Sequence, residues 1–240
     1  RRHGDTWVLD GQKRWIGNGT FADLVVVWAR DLADDSVKGF VVYGDNPGMS
    51  ATRIERKIAL RTVQNAELVL TGCEVPEDHR LQRAESFADT NEVLRRTRGG
   101  VAWGATGTMM AAYENALAYA KQREQFGRPI AGFQLVQDLL VRMLGNVTAS
   151  LGMAVRLAAM QDDGTARDEH AALAKEYTTT AMRETVAMAR QVVGGNGIVL
   201  DHGVAKYFAD AEALYSFEGT REINTLVVGR AVTGHSAFVR

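Results

Sequence analysis

The segment Tyr215–Thr220 places a carboxylate among aromatic residues at the predicted start of a helix. Glu218 follows Phe217 and precedes the flexible Gly219. An acid at a helix N-terminus is by itself explained by the helix dipole. The dipole does not explain the apolar neighbours, which include Leu214. A carboxylate that such neighbours shield from water makes a competent general base, so Glu218 is a candidate base, while the helix dipole alone still explains an acid at this position.

Two further segments are typical of ligand contacts, although the residues alone leave ordinary alternatives open. Arg123 and Phe126 place a cation beside an aromatic ring, which suits a phosphate-bearing cofactor. Taken alone, the segment is better explained as a charged last helical turn that ends at Gly127. The run Gly194–Gly197 contains three glycines and permits close approach of a ligand to the backbone, but it also reads as a helix cap.

Several other sites are excluded by residue type and spacing. The run Gly17–Ala22 matches G-x-G-x-x-A but leads into the strand-like run Asp23–Trp28, whereas a dinucleotide fingerprint opens a helix. None of the five histidines has a glutamate three residues before it, so a di-iron centre is excluded and no metal site is predicted. Cys73 is the single cysteine, so no intramolecular disulfide is possible.

The composition is that of an ordinary globular protein, with 240 residues, 46% hydrophobic and 24% charged. The net charge of -1 gives no electrostatic reason to expect a nucleic-acid or anionic-membrane partner. No apolar run approaches about 18 residues, so we expect no membrane insertion. The opening residues Arg1–Asp5 lead straight into a strand pattern without an apolar signal core, and we expect the natural N-terminus to lie upstream.

The pattern up to about residue 82 predicts short antiparallel strands separated by turns. Asp10-Gly11 between two alternating runs predicts a hairpin. The other predicted strands are Leu24–Trp28, Gly39–Tyr43, Ile54–Leu60 and Leu68–Leu70.

After about residue 83 the pattern becomes helical, with no proline beyond Pro129. Helices are predicted over roughly 90–122, from about Leu135 to Asp162, from Thr165 to Val193, over 201–214, and after Thr220. The apolar stripe on the second helix is Leu135, Leu139, Met143, Val147, Leu151 and Val155. The sequence therefore predicts an α+β fold. An antiparallel β-barrel or sandwich domain (1–82) precedes a C-terminal antiparallel four-helix bundle (83–240).

Together these segments resemble the acyl-CoA dehydrogenase and oxidase family, in order and over the whole chain. Phe217–Thr220 looks like the family's Tyr-Glu-Gly-Thr signature, which carries the catalytic base. The resemblance implies an FAD-dependent enzyme of fatty acid β-oxidation that desaturates an acyl-CoA thioester. Glu218 would remove the α-proton while the β-hydride passes to flavin N5.

The resemblance also assigns the cofactor contacts. The residues concerned are Trp15, Ile16, Gly17, Arg123, Phe126, Gln134, Gln191, Gly194, Gly195, Thr220 and Glu222. In the family, the segment of Gln191 and Gly195 closes over the flavin of a neighbouring subunit. Members usually carry threonine at the position of Gly17, where its hydroxyl bonds the flavin near N5. Its loss is expected to alter reoxidation of the flavin.

The implied substrate contacts are Arg98, Phe217 and Gly219, with Phe217 packed along the acyl chain. Some relatives carry the base one position before Arg98. This chain has Thr97 there, and a threonine cannot serve as the base.

Within the family, Val101–Gly104 and Ile223–Leu226 resemble the glutaryl-CoA dehydrogenase branch, and Arg61–Asn65 resembles its plant short-chain acyl-CoA oxidase. An oxidase would pass its electrons to oxygen instead of to electron-transferring flavoprotein. A relative that acts on another nitrogen- or CoA-linked substrate is a second alternative, and a non-catalytic scaffold of the same fold is a third.

The resemblance further implies a homotetramer, located in the bacterial cytoplasm or in an organelle matrix. The family's N-terminal helical domain, which forms one wall of the active site, has no counterpart in the sequence. We therefore expect the chain to be a fragment.

Overall fold

The computed structural model describes residues 1–238. Its contacts divide the chain into two compact units, residues 1–93 and residues from Leu94 onward. The predicted domain boundary at residue 83 precedes this division and stays a prediction.

The first unit contains six strands in two antiparallel sheets. The strands are β1 (Arg2–His3), β2 (Thr6–Gly17), β3 (Leu24–Arg30), β4 (Val37–Tyr43), β5 (Met49–Arg53) and β6 (Asn65–Pro76). One sheet has the order β1-β2-β6-β5, and β3 pairs with β4. Ala66, Leu68 and Leu70 alternate with less buried residues along β6, so one face of this strand packs into the core. Trp7 and Phe40 belong to the same core, with ring centroids 5.3 Å apart.

Two predictions about this unit were wrong in detail. Asp10-Gly11 is not a hairpin turn, because β2 runs through it with a register shift opposite Gly72 of β6, whose φ is 54°. Ile54–Leu60 is not a strand, because the Lys57 ammonium donates to the carbonyls of Leu60 and Val63 and folds the segment into a loop. The sheets of residues 1–238 form no closed barrel.

The helical unit contains five α-helices, one for each helix that the sequence pattern predicts, so α5 adds a fifth helix to the expected four-helix bundle. They are α1 (Phe87–Gln122), which begins in the first unit, α2 (Gln134–Asp162), α3 (Asp168–Val193), α4 (Val204–Ser216) and α5 (Arg221–Thr233). A two-stranded ribbon, β7 (Glu124–Gln125) and β8 (Arg128–Pro129), lies between α1 and α2. Helix α3 packs against α2, α4 and α5 and is the centre of the bundle.

Helix α2 buries only part of the predicted apolar stripe. Met143 and Val147 are buried, whereas Leu135 and Val155 are exposed. A spacing of four drifts around a helix of 3.6 residues per turn, and the buried face instead alternates steps of three and four. That face consists of Leu140, Met143, Val147, Ser150, Ala154 and Leu157.

By length and composition, α2 is the one helix within residues 1–238 that could cross a membrane, with a mean hydropathy of 1.2. The core helix of a soluble protein passes the same test, and only 28% of the apolar window is buried here. The expectation of no membrane insertion therefore stays a prediction.

Candidate active site

Glu218 lies in the short loop between α4 and α5, in a backbone conformation that few side chains adopt. Its φ is 57° and that of the following Gly219 is 83°, so two consecutive residues are left-handed. A non-glycine residue in this region costs about 1–3 kcal/mol and persists only where its surroundings hold it. Thr220 caps α5 by accepting a hydrogen bond from the N–H of Ile223, which defines where the loop ends.

Two consecutive residues of α1 hold Glu218. The Thr97 hydroxyl donates to Oε2 of the carboxylate over 2.6 Å. The Arg98 Nε donates to the Glu218 carbonyl over 3.4 Å. Arg98 is only 4% exposed. Burial lowers the pKa of its guanidinium, while the carboxylates of Asp168 and Glu218 oppose this shift.

Lys175, in the first half of α3, supports the same loop through two hydrogen bonds. Its ammonium donates to the carbonyls of Tyr215 and Gly219, each over 2.7 Å. The residue is 0% exposed. Burial, and after it the positive charge of Arg98, lower the pKa of the ammonium to about 8.

Asn224 on α5 completes the support. Its side-chain amide donates to the carbonyls of Gly219 and Thr220, each over 2.9 Å. Glu222 lies on the first turn of the same helix. Its own backbone N–H, and after it the Thr220 hydroxyl, hold the pKa of Glu222 below its usual value.

Of the predicted site residues, Arg98, Glu218 and Gly219 lie together, and Phe217 precedes Glu218 with 40% of its surface exposed. Sequence reasoning assigned no role to Lys175, Asn224 or the Thr97 hydroxyl. Lys175 had a detectable signal, because a charged residue stands on a helix face otherwise made of uncharged residues. That face includes Ala171, Ala174, Thr178 and Met182, all buried. Asn224 carries no comparable signal.

The ribbon between α1 and α2 presents Phe126 to solvent, 93% exposed and with φ 54°. Its ring meets Phe133 edge to face, with centroids 6.1 Å apart. Arg123 is exposed just after the end of α1, and Gln134 is the exposed first residue of α2. A guanidinium, a flat ring and an amide are thus grouped around one turn.

Helix α3 ends at the predicted glycine segment. Gln191, Gly194 and Gly195 are exposed, and a Cβ added at either glycine would meet no atom within 4 Å. Asn196 donates to the Tyr119 hydroxyl over 3.2 Å, which ties this segment to α1 one turn before Arg123.

Trp15, Ile16 and Gly17 lie at the end of β2 in the first unit. Trp15 has φ 65° and an exposed ring, and Ile16 packs against the β core. Among residues 1–238, no group of three His, Cys, Asp or Glu side chains could hold a metal ion.

Comparison with known families decides the relationship. The family model described as acyl-CoA dehydrogenase, C-terminal domain, matches residues 87–233, and the one described as its middle domain matches residues 1–73. The chain belongs to the acyl-CoA dehydrogenase family. The resemblance inferred from Glu218 and its neighbours is thereby confirmed at the level of the family.

Individual members of the acyl-CoA dehydrogenase family are also similar to this chain in sequence and structure. Cyclohex-1-ene-1-carbonyl-CoA dehydrogenase of Geobacter metallireducens is 35% identical, over 96% of this chain and 62% of the relative. The crystal structure of glutaryl-CoA dehydrogenase from Mycobacterium smegmatis is 40% identical with a TM-score of 0.96, over 99% of this chain and 61% of that one. A glutaryl-CoA dehydrogenase structure from the same organism, in complex with FADH2, is 34% identical with a TM-score of 0.96, over the same shares. The chain thus spans about three fifths of the length of these relatives.

Proposed function

We propose that the protein containing this chain catalyses the flavin-dependent α,β-desaturation of an acyl-CoA thioester, with Glu218 as the base. The observation that carries the proposal is the ordered Glu218 carboxylate. Thr97 binds one of its oxygens, and two buried cations, Arg98 and Lys175, hold the surrounding backbone. A scaffold without catalytic function has no need of a strained acidic loop supported in this way.

The residues that the family resemblance assigns to FAD fit such a group. The guanidinium of Arg123 suits a pyrophosphate, and the exposed ring of Phe126 suits stacking on a flat heterocycle. The open backbone at Gly194 and Gly195 allows close approach. When bound, FAD supplies the acceptor for the hydride that leaves the β-carbon.

Proton abstraction follows from the geometry of the loop. An α-carbon beside a thioester is a weak acid unless its carbonyl oxygen is stabilised as negative charge develops. Within residues 1–238 the N–H of Glu218 donates no hydrogen bond. It is therefore available to the thioester oxygen. Thr97 holds Oε2, and we assign the α-proton to the other oxygen, Oε1.

The CoA portion of the substrate carries phosphates, and a pocket with two arginines lies on the turn of α1 that precedes Thr97. This open pocket has a volume of about 460 Å³. Arg95 and Arg96 line it together with Gln161 and Asp162 of α2. Arginine is well suited to phosphate recognition, so we assign the phosphate-bearing tail to this pocket.

The test is anaerobic bleaching of the flavin by a panel of acyl-CoA substrates in the intact protein. Glu218→Gln is expected to retain FAD but to bleach roughly 10²–10⁴-fold more slowly, because the amide cannot accept the α-proton. Glu114→Gln, an exposed acid on α1, serves as the matched control and should bleach at the wild-type rate. Wild-type bleaching in the Glu218 variant would overturn the assignment of the base.

An acyl-CoA oxidase is the second candidate, and Gly17 is the observation that favours it. A Cβ at this position would meet no atom within 4 Å, so no side chain blocks the space there. Where the family usually carries threonine, oxygen has more room to approach. Stoichiometric hydrogen peroxide during aerobic turnover identifies an oxidase. Dependence of turnover on electron-transferring flavoprotein identifies a dehydrogenase.

We also propose a homotetramer, which the family resemblance implies. Helix α2 supports this assembly with a second apolar stripe, exposed within the chain and formed by Val141, Leu144, Leu151 and Val155. An uncovered stripe of this kind marks an interaction surface. Location in the bacterial cytoplasm or an organelle matrix stays a prediction.

A further inference from the structure

Lys175 bridges the two ends of the loop that carries Glu218. Its ammonium donates to Tyr215, three residues before the glutamate, and to Gly219, one residue after it, each over 2.7 Å. The first carbonyl belongs to the last turn of α4 and the second lies beyond it. A cation that only capped α4 would account for the first bond. It would leave the second unexplained.

The Gly219 carbonyl is fixed from two sides. It accepts from Lys175 on α3 and from the Asn224 amide on α5. Because Gly219 follows Glu218 directly, fixing this carbonyl fixes the peptide plane next to the glutamate. Both donor residues are fully buried, so their side chains are held in place by the packing around them.

From this geometry we propose that Lys175 is a positioning residue for proton abstraction. It holds the segment Tyr215–Gly219 so that Glu218 and Gly219 keep the left-handed backbone that aims the carboxylate. The inference rests on the proposed function and names the residue that prepares its base. Lys175 does not itself contact the reacting atoms.

The charge of Lys175 indicates why the residue is a lysine. Burying an ammonium is unfavourable, and its hydrogen bonds go to carbonyls rather than to a carboxylate. The charged groups around it are Arg98 on α1, Glu176 on its own helix, Glu218 in the loop and Glu222 on α5. An apolar side chain would avoid this cost of burial but would donate no hydrogen bonds. The ammonium therefore contributes to the site through the two charged hydrogen bonds that it donates to the loop.

The experiment compares Lys175→Met with Lys175→Arg in the intact, FAD-loaded protein. Met has a similar length but no donor, whereas Arg retains both the charge and the donors. For Lys175→Met we expect an unchanged FAD content and a KM for acyl-CoA within about threefold of wild type. The anaerobic bleaching rate per bound flavin should fall about 10- to 100-fold, because a displaced base loses its alignment with the α-carbon. Lys175→Arg should recover part of that loss.

Lys206→Met, an exposed lysine of α4, is the matched control and should bleach at the wild-type rate. If Lys175→Met does not fold, Asn224→Ala is measured in the same way, since it removes the second donor to Gly219. A wild-type bleaching rate per bound flavin in the folded variant overturns the inference. If Glu218→Gln bleaches slowly in the same series, only the role of Lys175 has failed. If Glu218→Gln bleaches normally, the proposed function itself has failed.

Discussion

Glu218 has a strained backbone, and hydrogen bonds from neighbouring helices hold that backbone in place. A left-handed glutamate costs about 1–3 kcal/mol, and its φ of 57° places it in that region. Hydrogen bonds contributed by charged donors are worth about 1.5–3 kcal/mol each, and Lys175 contributes two of them to the loop. These bonds oppose the strain of the turn, and the Thr97 hydroxyl orients the carboxylate in the protein without substrate.

The lowered pKa of Lys175 predicts a pH dependence of stability. The folded pKa is about 8 and the unfolded value is 10.5. Between these values the unfolded chain binds more protons than the folded one, so this residue's contribution to stability rises with pH. Below pH 8 both states are protonated and the contribution is constant.

Thermal midpoints of the wild type and of Lys175→Met, measured from pH 7 to pH 9.5, test this prediction. The wild-type midpoint minus the variant midpoint should be flat up to about pH 8 and should then increase. All other titrating groups are shared by the two proteins and cancel in the difference. A difference that decreases above pH 8 would contradict the sign.

The identities of Glu218, Arg98 and Gly219 could be recognised from the sequence because they sit in short, ordered motifs. Lys175 could not be assigned a role, because its hydrogen bonds reach residues 40 and 44 positions away. The Thr97 hydroxyl likewise meets Glu218 across 121 positions. Only the packing of α1 and α3 against the α4–α5 loop brings these groups together.

At the scale of elements, the helices were more predictable than the strands. Glycines and a threonine cap mark the helix ends locally, as Gly164 and Thr220 do. The errors about strands arose where contacts distant in sequence decide the local structure. Opposite Gly72, β2 contains a register shift where a hairpin was expected. The hydrogen bonds of Lys57 stabilise a loop where a strand was expected. The helix after Thr220 was predicted in the same way as the other helices, although α5 follows α4 after only a short loop.

The short segment after α3 gives a test at this scale. A Cβ at Gly197 would lie 2.6 Å from the Arg190 carbonyl, so Gly197→Ala must displace the segment from the last turn of α3. Such overpacking costs about 1–3 kcal/mol and should lower the thermal midpoint by several degrees. Gly195→Ala is the matched control, because its Cβ meets no atom within 4 Å.

Both variants should be compared by thermal unfolding of the intact protein after removal of bound flavin, so that cofactor contacts do not contribute. Gly195→Ala should shift stability by no more than about 0.5 kcal/mol. Equal destabilisation by the two substitutions would show that the close approach of Gly197 to α3 is not what constrains this segment.

At the scale of the whole molecule, the second apolar stripe of α2 stays exposed to solvent in a single chain. Val141, Leu144, Leu151 and Val155 follow steps of three, seven and four, so they share one helix face. The net charge of -1 offers little repulsion between copies. Covering the stripe with the same stripe of a second copy satisfies the closed symmetry usual for homo-oligomers.

The double substitution Leu144→Lys and Val155→Lys is therefore expected to lower the mass of the intact protein measured by light scattering. Each exposed apolar side chain covered in an interface is worth about 1.5–3 kcal/mol, and a lysine there adds an uncompensated charge. Ala149→Lys adds a charge on the exposed flank of the same helix and should leave the mass unchanged. An unchanged mass in the double variant would contradict self-association through this face. Loss of wild-type binding to lipid vesicles in that variant would instead identify a membrane as its occupant.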